Sequence, residues 1–215
     1  RHPLQHVYLG PAYDDAEIAN RLRAAGVSGQ TLNRDALIRT AAQAIHAGKV
    51  VGWFQGRMEF GPRALGNRSM LARPTEASIN DWLNKRLDRS EFMPFAPSVL
   101  EEHAEEIFIG VEKARHTARF MTITFDVRQE WRTRIPAVVH VDGTARPQLV
   151  NRETNALYYD LISAYRALSG IPLVLNTSFN VHEEPIVCTP KEAIQAFIEK
   201  RVDCLGIGSF WLEHA

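Results

Sequence analysis

Apolar runs of period two and stripes of period 3.6 take turns along this chain, predicting strands that alternate with helices. His6-Val7-Tyr8-Leu9 reads as a short strand closed by Gly10 and Pro11. Asp14 or Asp15 then caps a helix with Ile18, Ala19, Leu22 and Ala25 on one face and Gly26 at its end. A second helix runs from about Arg34 to Ala47, with Leu37, Ile38, Ala41 and Ile45 as its stripe. The apolar run Val50 to Phe54 is a strand entering a core, and Ser69 to Ala72 resumes one. Pro74-Thr75 starts a third helix whose inward side chains are Ile79, Trp82 and Leu83. Prolines 94 and 97 make residues 92–100 an edge strand or an irregular connection. Glu101 to Phe108 is a short, Glu-rich, solvated helix.

In the second half, residues 120–127 alternate and predict a strand, followed by a polar turn over Gln129 to Arg134. Ala137 to Val141 and Thr144 to Val150 read as a hairpin around Asp142-Gly143. Thr154 to Ser169 is a helix with Leu157, Leu161, Tyr165 and Leu168 in step and Gly170 at its end. The strand Pro172 to Leu175 runs into Asn176-Thr177-Ser178-Phe179-Asn180, a polar cluster placed to face a ligand crevice or to make a turn. Thr189-Pro190-Lys191-Glu192 is a capping box opening a helix to about Lys200. Val202 to Ile207 and Phe210 to Leu212 close the chain as strands. This order, without repeats or low-complexity linkers, predicts one α/β or α+β domain.

The most informative stretch follows the Val50 to Phe54 strand. Between Gly56 and Arg68 it carries Gly56, Gly61, Gly66 and Pro62 together with Arg57, Arg63 and Arg68. Glycine lets backbone approach a ligand, and the arginine fork matches phosphate and carboxylate oxygens. The stretch therefore reads as an anion cradle, or else as a surface loop whose arginines pair with Glu59 and its neighbours. Neither the phosphate loop G-x-x-x-x-G-K-[ST] nor the dinucleotide fingerprint G-x-G-x-x-G is present.

Charge sharpens this only locally. Lys plus Arg equals Asp plus Glu, at 25 each, so no global field draws nucleic acid or a membrane surface. Between Gln55 and Arg89, however, seven basic residues face four acidic ones, which suits one small anionic ligand. Lys85, Arg86 and Arg89 end the third helix, where cations suit the dipole and also stand within reach of a ligand on the loop. Two cysteines, Cys188 and Cys204, build neither a disulfide framework nor a zinc site and read as buried thiols. No apolar run reaches the ~20 residues of a membrane span, and no signal-peptide pattern is seen, so a cytoplasmic protein is expected. Starting at Arg1 in mid-pattern, the chain reads as a piece of something longer.

The words of the loop, G-R-M-E-F-G-P-R-A-L-G-N-R-S, resemble the C-terminal region of the NodU/CmcH-type O-carbamoyltransferases. M-P-F-A-P-S at 93–98, H-V-D-G-T-A-R-P-Q at 140–148, L-N-T-S-F-N at 175–180, E-P-I-V-C-T-P at 184–190 and D-C-L at 203–205 extend the likeness over about residues 48 to 212. The resemblance implies a single YrdC-like domain over 48–215, a twisted mixed β-sheet flanked by helices. Residues 1–47 would be a helical lead-in from a missing acceptor domain. It also implies an activity: carbamoyl phosphate and ATP give carbamoyl-adenylate and pyrophosphate. A separate Kae1-like, iron-containing N-terminal domain, the expected partner, then passes the carbamoyl group to a hydroxyl.

With that activity in view, the candidate catalytic residues are Arg63, Lys85, Arg89, Arg146 and Ser178, the family's Lys/Arg pair falling among Lys85, Arg86 and Arg89. Arg57, Arg68, Arg86, His140, Asn176, Thr177 and Asn180 would bind ATP or substrate. Ser178-Phe179-Asn180 matches the family's Ser-x-Asn, while Lys85-Arg86 and Arg89 stand at a different spacing from the family's Lys-x-Arg. Mg²⁺ would ride on the ATP phosphates, no metal ligand set is expected in this chain, and iron belongs to the other domain. A non-catalytic nucleotide-binding or regulatory module is the alternative. RNA binding is disfavoured by the balanced charge.

Overall fold

The structure, a computed structural model, describes residues 3–86, 95–180 and 184–214. In chain order the first elements are α1 (Asp15–Ala24), β1 (Gln30–Thr31), α2 (Arg34–His46), β2 (Val51–Phe54), β3 (Arg68–Ala72), α3 (Ser78–Arg86), β4 (Ala96–Leu100), α4 (Ala104–Ile107) and α5 (Arg115–Ala118). Then come β5 (Phe125–Asp126), α6 (Gln129–Arg132), β6 (Thr144–Ala145), β7 (Gln148–Val150), α7 (Ala156–Ser169), β8 (Leu173–Ser178), α8 (Pro190–Ile198), β9 (Cys204–Ile207) and β10 (Phe210–Glu213). Among the described residues, eight strands form one mixed sheet in the order β1-β10-β9-β2-β3-β8-β4-β7. The β2–β9 and β4–β7 pairs are parallel and the others antiparallel. The fold is thus the mixed α/β sheet with flanking helices that the sequence predicts.

Local chemistry explains the helix starts. Asp14 accepts the Glu17 N–H while Glu17 reaches back to the Asp14 N–H, and Thr189 and Glu192 repeat that box ahead of α8. Asn33 caps α2 and Asn155 caps α7. The buried faces then set the layers: α1 packs on α8, α2 packs on α7, and both pairs contact the sheet. A main core results, with Trp53, Phe54, Leu71, Leu83, Tyr158, Leu173 and Leu205 fully or almost fully buried, and a smaller cluster of Leu65, Ala96 and Met121 stands apart from it. Elements before residue 48 join the main core, since β1 pairs with β10 and α2 lies against β2, β3 and β9.

Several expectations are corrected. His6-Val7-Tyr8-Leu9 forms no strand and makes a single bridge, Tyr8 to Glu59. Residues 96–100 are neither edge nor irregular, because β4 lies between β8 and β7; Pro97 is tolerated one position before the β7 ladder opens at Ser98–Gln148. The expected 120–127 strand shrinks to β5, as Met121 takes a left-handed φ of 56° and breaks the extended run. Pro136 starts a 3₁₀ turn over Pro136–Val138 in place of a strand, so β6 pairs with β5 and β7 with β4. The α7 stripe is Tyr158, Leu161, Ile162 and Tyr165, and Leu168 is exposed. The 101–108 segment is not simply solvated: Ala104, Ile107 and Phe108 are buried. The third helix begins at Ser78, and Cys188 is only partly buried. Arg89, Met93, Pro94 and the side chain of Trp82 lie outside the described residues.

For the site, the decisive point is β8. Its polar residues do not follow the strand but belong to it: Asn176 pairs with Leu71 of β3 and Ala96 of β4, and Ser178 pairs with Ser69. Asn176 is therefore held from both sides of the strand, and Thr177 and Ser178 from the β3 side.

The loop between β2 and β3 closes against α7 through Gly66, which has φ 102°; a Cβ there would stand 2.2 Å from the Tyr158 ring. Gly66→Ala is expected to cost about 2–4 kcal/mol, from overpacking plus backbone strain. Urea unfolding checks this; a loss below about 1 kcal/mol would contradict the close packing.

Candidate active site

Loop residues 55–67 carry the arginines, and a buried polar scaffold fixes their backbone. Glu59 is 5% exposed, and its Oε1 accepts the N–H groups of Leu65 (2.6 Å) and Asn67 (2.8 Å). Burial, as the largest cause, pushes its carboxyl above the usual range, while those backbone N–H groups and the Arg68 charge oppose the shift. Gly66 N–H donates to Ser69 Oγ, and the Leu65 carbonyl accepts from Tyr8 Oη and Gln148 Nε2. The Ala64 carbonyl accepts from Asn176 Nδ2 at 3.1 Å, which ties the loop to β8 directly.

Where the loop meets β8, a cavity of about 60 Å³ opens. Arg63, Ala64, Ala96, Met121, Arg146, Asn176, Thr177 and Ser178 are among its lining residues, and among the described residues no Asp or Glu lines it. Pro62, Arg63, Met121 and Arg146 also border an adjoining cleft of about 500 Å³ with Leu4, Val7, Phe60 and Phe120. Arg63 is partly exposed on the loop, and Arg146 comes from the junction of β6 and β7. The Arg146 guanidinium titrates below its ordinary value, chiefly because it is partly buried and then because Arg63 is nearby, and its buried Nε has no partner. Two like charges converge on a cavity where, among the described residues, no carboxylate offers a counterion. An anion relieves both the repulsion and the unmet donors.

The structure gathers Arg63, Arg146, Asn176, Thr177 and Ser178 around this cavity. It does not gather the other candidates there. Arg68 is 0% exposed, stacked 3.7 Å over Phe54, and donates to the carbonyls of Gln55, Asn67, Pro11 and Gly56. Burial, partly offset by Glu59, pushes it down to about 10, still charged at neutral pH. Exposed Arg57 donates to the Leu9 carbonyl. Both arginines thus hold loop backbone. Arg86 at the end of α3 pairs with Asp203 (2.7 Å) and donates to the Lys200 carbonyl. Lys85 borders a separate cleft with Gly48, Glu76 and Asp81.

His140 turns to Thr144 Oγ1 at 3.2 Å within the Asp142 turn; burial first, opposed by Asp142, lowers its basicity. Asn180 lines a different groove, of about 520 Å³, yet its Oδ1 accepts from Ser178 Oγ at 2.6 Å. It therefore reaches the cavity only through Ser178.

Sequence reasoning overlooked Ser98, Gln148 and Met121. Ser98 Oγ donates to Gln148 Oε1 at 2.7 Å, and Asn176 Nδ2 donates to both oxygens, all three residues being buried. Their sequence signal was a polar residue in each of three apolar strands, visible only once β4, β7 and β8 are known to be neighbours. Met121 gave no signal; its positive φ turns it into both cavities.

A family model described as carbamoyltransferase C-terminus matches residues 42–214. The chain is 43% identical over 215 residues to nodulation protein NolNO of Sinorhizobium fredii, covering 99% of this chain and 32% of that protein. It is 42% identical over 213 residues to nodulation protein NolO of Bradyrhizobium diazoefficiens, covering 98% of this chain and 38% of that one. The chain thus spans about a third of the length of these relatives. Among solved structures, P. abyssi Sua5 complexed with L-threonine aligns with TM-score 0.58 at 14% identity, over 83% of this chain and 48% of that one. Full-length HypF in its phosphate- and nucleotide-bound form aligns with TM-score 0.55 at 18% identity, over 84% and 22%. At these identities the likeness is one of fold.

Replacing Glu59 tests the loop scaffold. Glu59→Leu strands two buried N–H groups and is expected to cost about 2–5 kcal/mol. Glu59→Gln keeps an acceptor but cannot ionise. Because the folded carboxyl titrates above the ordinary 4.5, wild type loses this contribution as pH rises from there. The stability of Glu59→Gln relative to wild type should therefore improve between pH 4.5 and 8, as urea titrations at several pH values would show. A pH-independent difference would contradict it.

Proposed function

The chain belongs to the carbamoyltransferase C-terminus family, and from that premise we propose that it activates a carbamoyl group by adenylation. This would be the first half of O-carbamoyl transfer to a hydroxyl. The observation that carries the reading is the Arg63–Arg146 pair, converging on a cavity beside the amide and hydroxyl groups of β8 that no carboxylate among the described residues lines. The likeness of fold to HypF, solved with phosphate and nucleotide bound, supports it.

In balanced form, water cleaves carbamoyl phosphate to carbamate and inorganic phosphate. A carbamate oxygen then attacks the α-phosphorus of ATP; the new C–O–P linkage forms as the bond to pyrophosphate breaks. The protein must neutralise crowded anions and align the groups in line. Arg63 and Arg146 supply the fixed positive charge, most effective where water is excluded. Ser178 and Thr177 orient oxygens at the cavity wall, with Asn180 setting the Ser178 hydroxyl. The small cavity suits the carbamoyl end, and the adjoining cleft of about 500 Å³ has room for the nucleotide. Among the described residues no cluster of three metal-ligating side chains occurs. Mg²⁺ would enter with the phosphates that chelate it, neutralising their charge. Acceptor transfer would fall to the Kae1-like N-terminal domain that the sequence resemblance implies.

Carbamoyl-phosphate-dependent ATP/pyrophosphate exchange tests the reading. Arg63→Ala and Arg146→Ala are each expected to lower exchange ~30–1000-fold, the loss of a charge-assisted contact in a desolvated site. Unchanged exchange in both, with normal circular dichroism, would remove them from the site. Nucleotide binding by wild type without any exchange would instead favour a non-catalytic nucleotide-binding module.

A further inference from the structure

Residues 7–11 lie outside the stretch that the family model matches, yet they are bonded to the loop that carries Arg63. The Val7 carbonyl accepts the Phe60 N–H at 2.7 Å. The next residue, Tyr8, donates its hydroxyl to the Leu65 carbonyl at 2.9 Å. Phe60 and Leu65 bracket the tip Gly61 to Ala64, so two consecutive residues hold both ends of the turn that carries Arg63. Further along, Gly10 N–H donates to the Met58 carbonyl and Met58 N–H to the Pro11 carbonyl, both at 2.9 Å. The fit is close: a Cβ on Gly10 would stand 2.9 Å from Met58 Cβ. The segment packs as well as bonds. Val7 and Tyr8 lie against the small cluster of Leu65, Ala96 and Met121, residues that also border the two cavities. The tip itself has little to hold it. Phe60 is 75% exposed, and among the described residues nothing stands within 4 Å of a Cβ placed on Gly61. A glycine there, at φ 136°, leaves the backbone free to turn unless the ends are fixed.

We propose that residues 7–11 are a strap across the Gly/Arg loop, and that Tyr8 is a positioning residue that sets Arg63 opposite Arg146 by fixing both ends of the tip. Tyr8 acts through the loop and supplies no charge to the ligand. Its worth lies in geometry, since misplacing a charged donor by about 1 Å can cost ~100-fold in rate.

Amide hydrogen exchange of the chain tests the strap without any ligand. In Tyr8→Ala the Met58 and Phe60 amides are expected to exchange at least ~10-fold faster, while those of β8 keep their protection. Unchanged loop amides overturn the strap. An equal rise throughout the chain overturns it too, since Tyr8 would then stabilise the whole fold. The catalytic consequence rests on the proposed adenylation and is read by ATP/pyrophosphate exchange. Tyr8→Phe, which keeps the ring, should lower exchange ~3–10-fold, and Tyr8→Ala ~10–100-fold. In an Arg63→Ala background each should cost less than about twofold, because Tyr8 acts through Arg63. Equal losses in both backgrounds overturn the positioning role. A wild type without exchange overturns the proposed function and the positioning role together, and the amide data then still decide the strap.

Discussion

Everything at the site depends on a loop that would have no reason to stay closed without the carboxylate beneath it. Glu59 is buried, and one of its oxygens takes the N–H groups of both Leu65 and Asn67. Arg68, also buried, gathers carbonyls from the start of the loop and from Pro11. The two opposite charges share one interior, and each shifts the other's titration favourably against its burial. Such a pair is expensive to desolvate, so its worth lies in geometry. It converts a glycine-rich segment into a rigid frame that points Arg63 at the sheet.

The second constraint is inside the sheet. β8 carries Asn176 and Ser178 between β3 and β4, where apolar residues would be the ordinary choice. Asn176 is accommodated because Ser98 of β4 and Gln148 of β7 receive its amide hydrogens, while the Ser178 hydroxyl donates to Asn180. The chain of bonds continues through Leu65 to Tyr8, so the strand network and the loop frame are one unit. A site built this way is preorganised: the donors and acceptors stand in place before a ligand arrives. Arg146, from the short β6–β7 junction, completes the wall from a distant part of the sequence.

The arginines divide by burial and partners. Those with carbonyls or carboxylates close at hand, Arg57, Arg68 and Arg86, are occupied by the protein. Arg63 and Arg146 face a wall that, among the described residues, carries no carboxylate. The relatives that share this region are about three times longer, so a wall that ends in a wide cleft suits a site used together with the rest of such a protein.

The sequence by itself determined the helix boundaries set by capping residues and the strands with unbroken apolar runs. Those signals are local, made by side chains bonding backbone a few residues away. It also singled out the Gly/Arg loop and the polar end of the 172–175 strand, by their words and by their chemistry. It could not rank the arginines, because Arg63 and Arg68 sit in the same loop and differ only in what surrounds them after folding. Nor could it find Ser98 and Gln148, which acquire meaning when strands far apart in sequence become neighbours. The hairpin over 137–150 failed for the same reason: Pro136 and a competing partner strand outweighed a good local turn. Burial and strand adjacency are properties of the whole chain at once, and only the tertiary structure decided them.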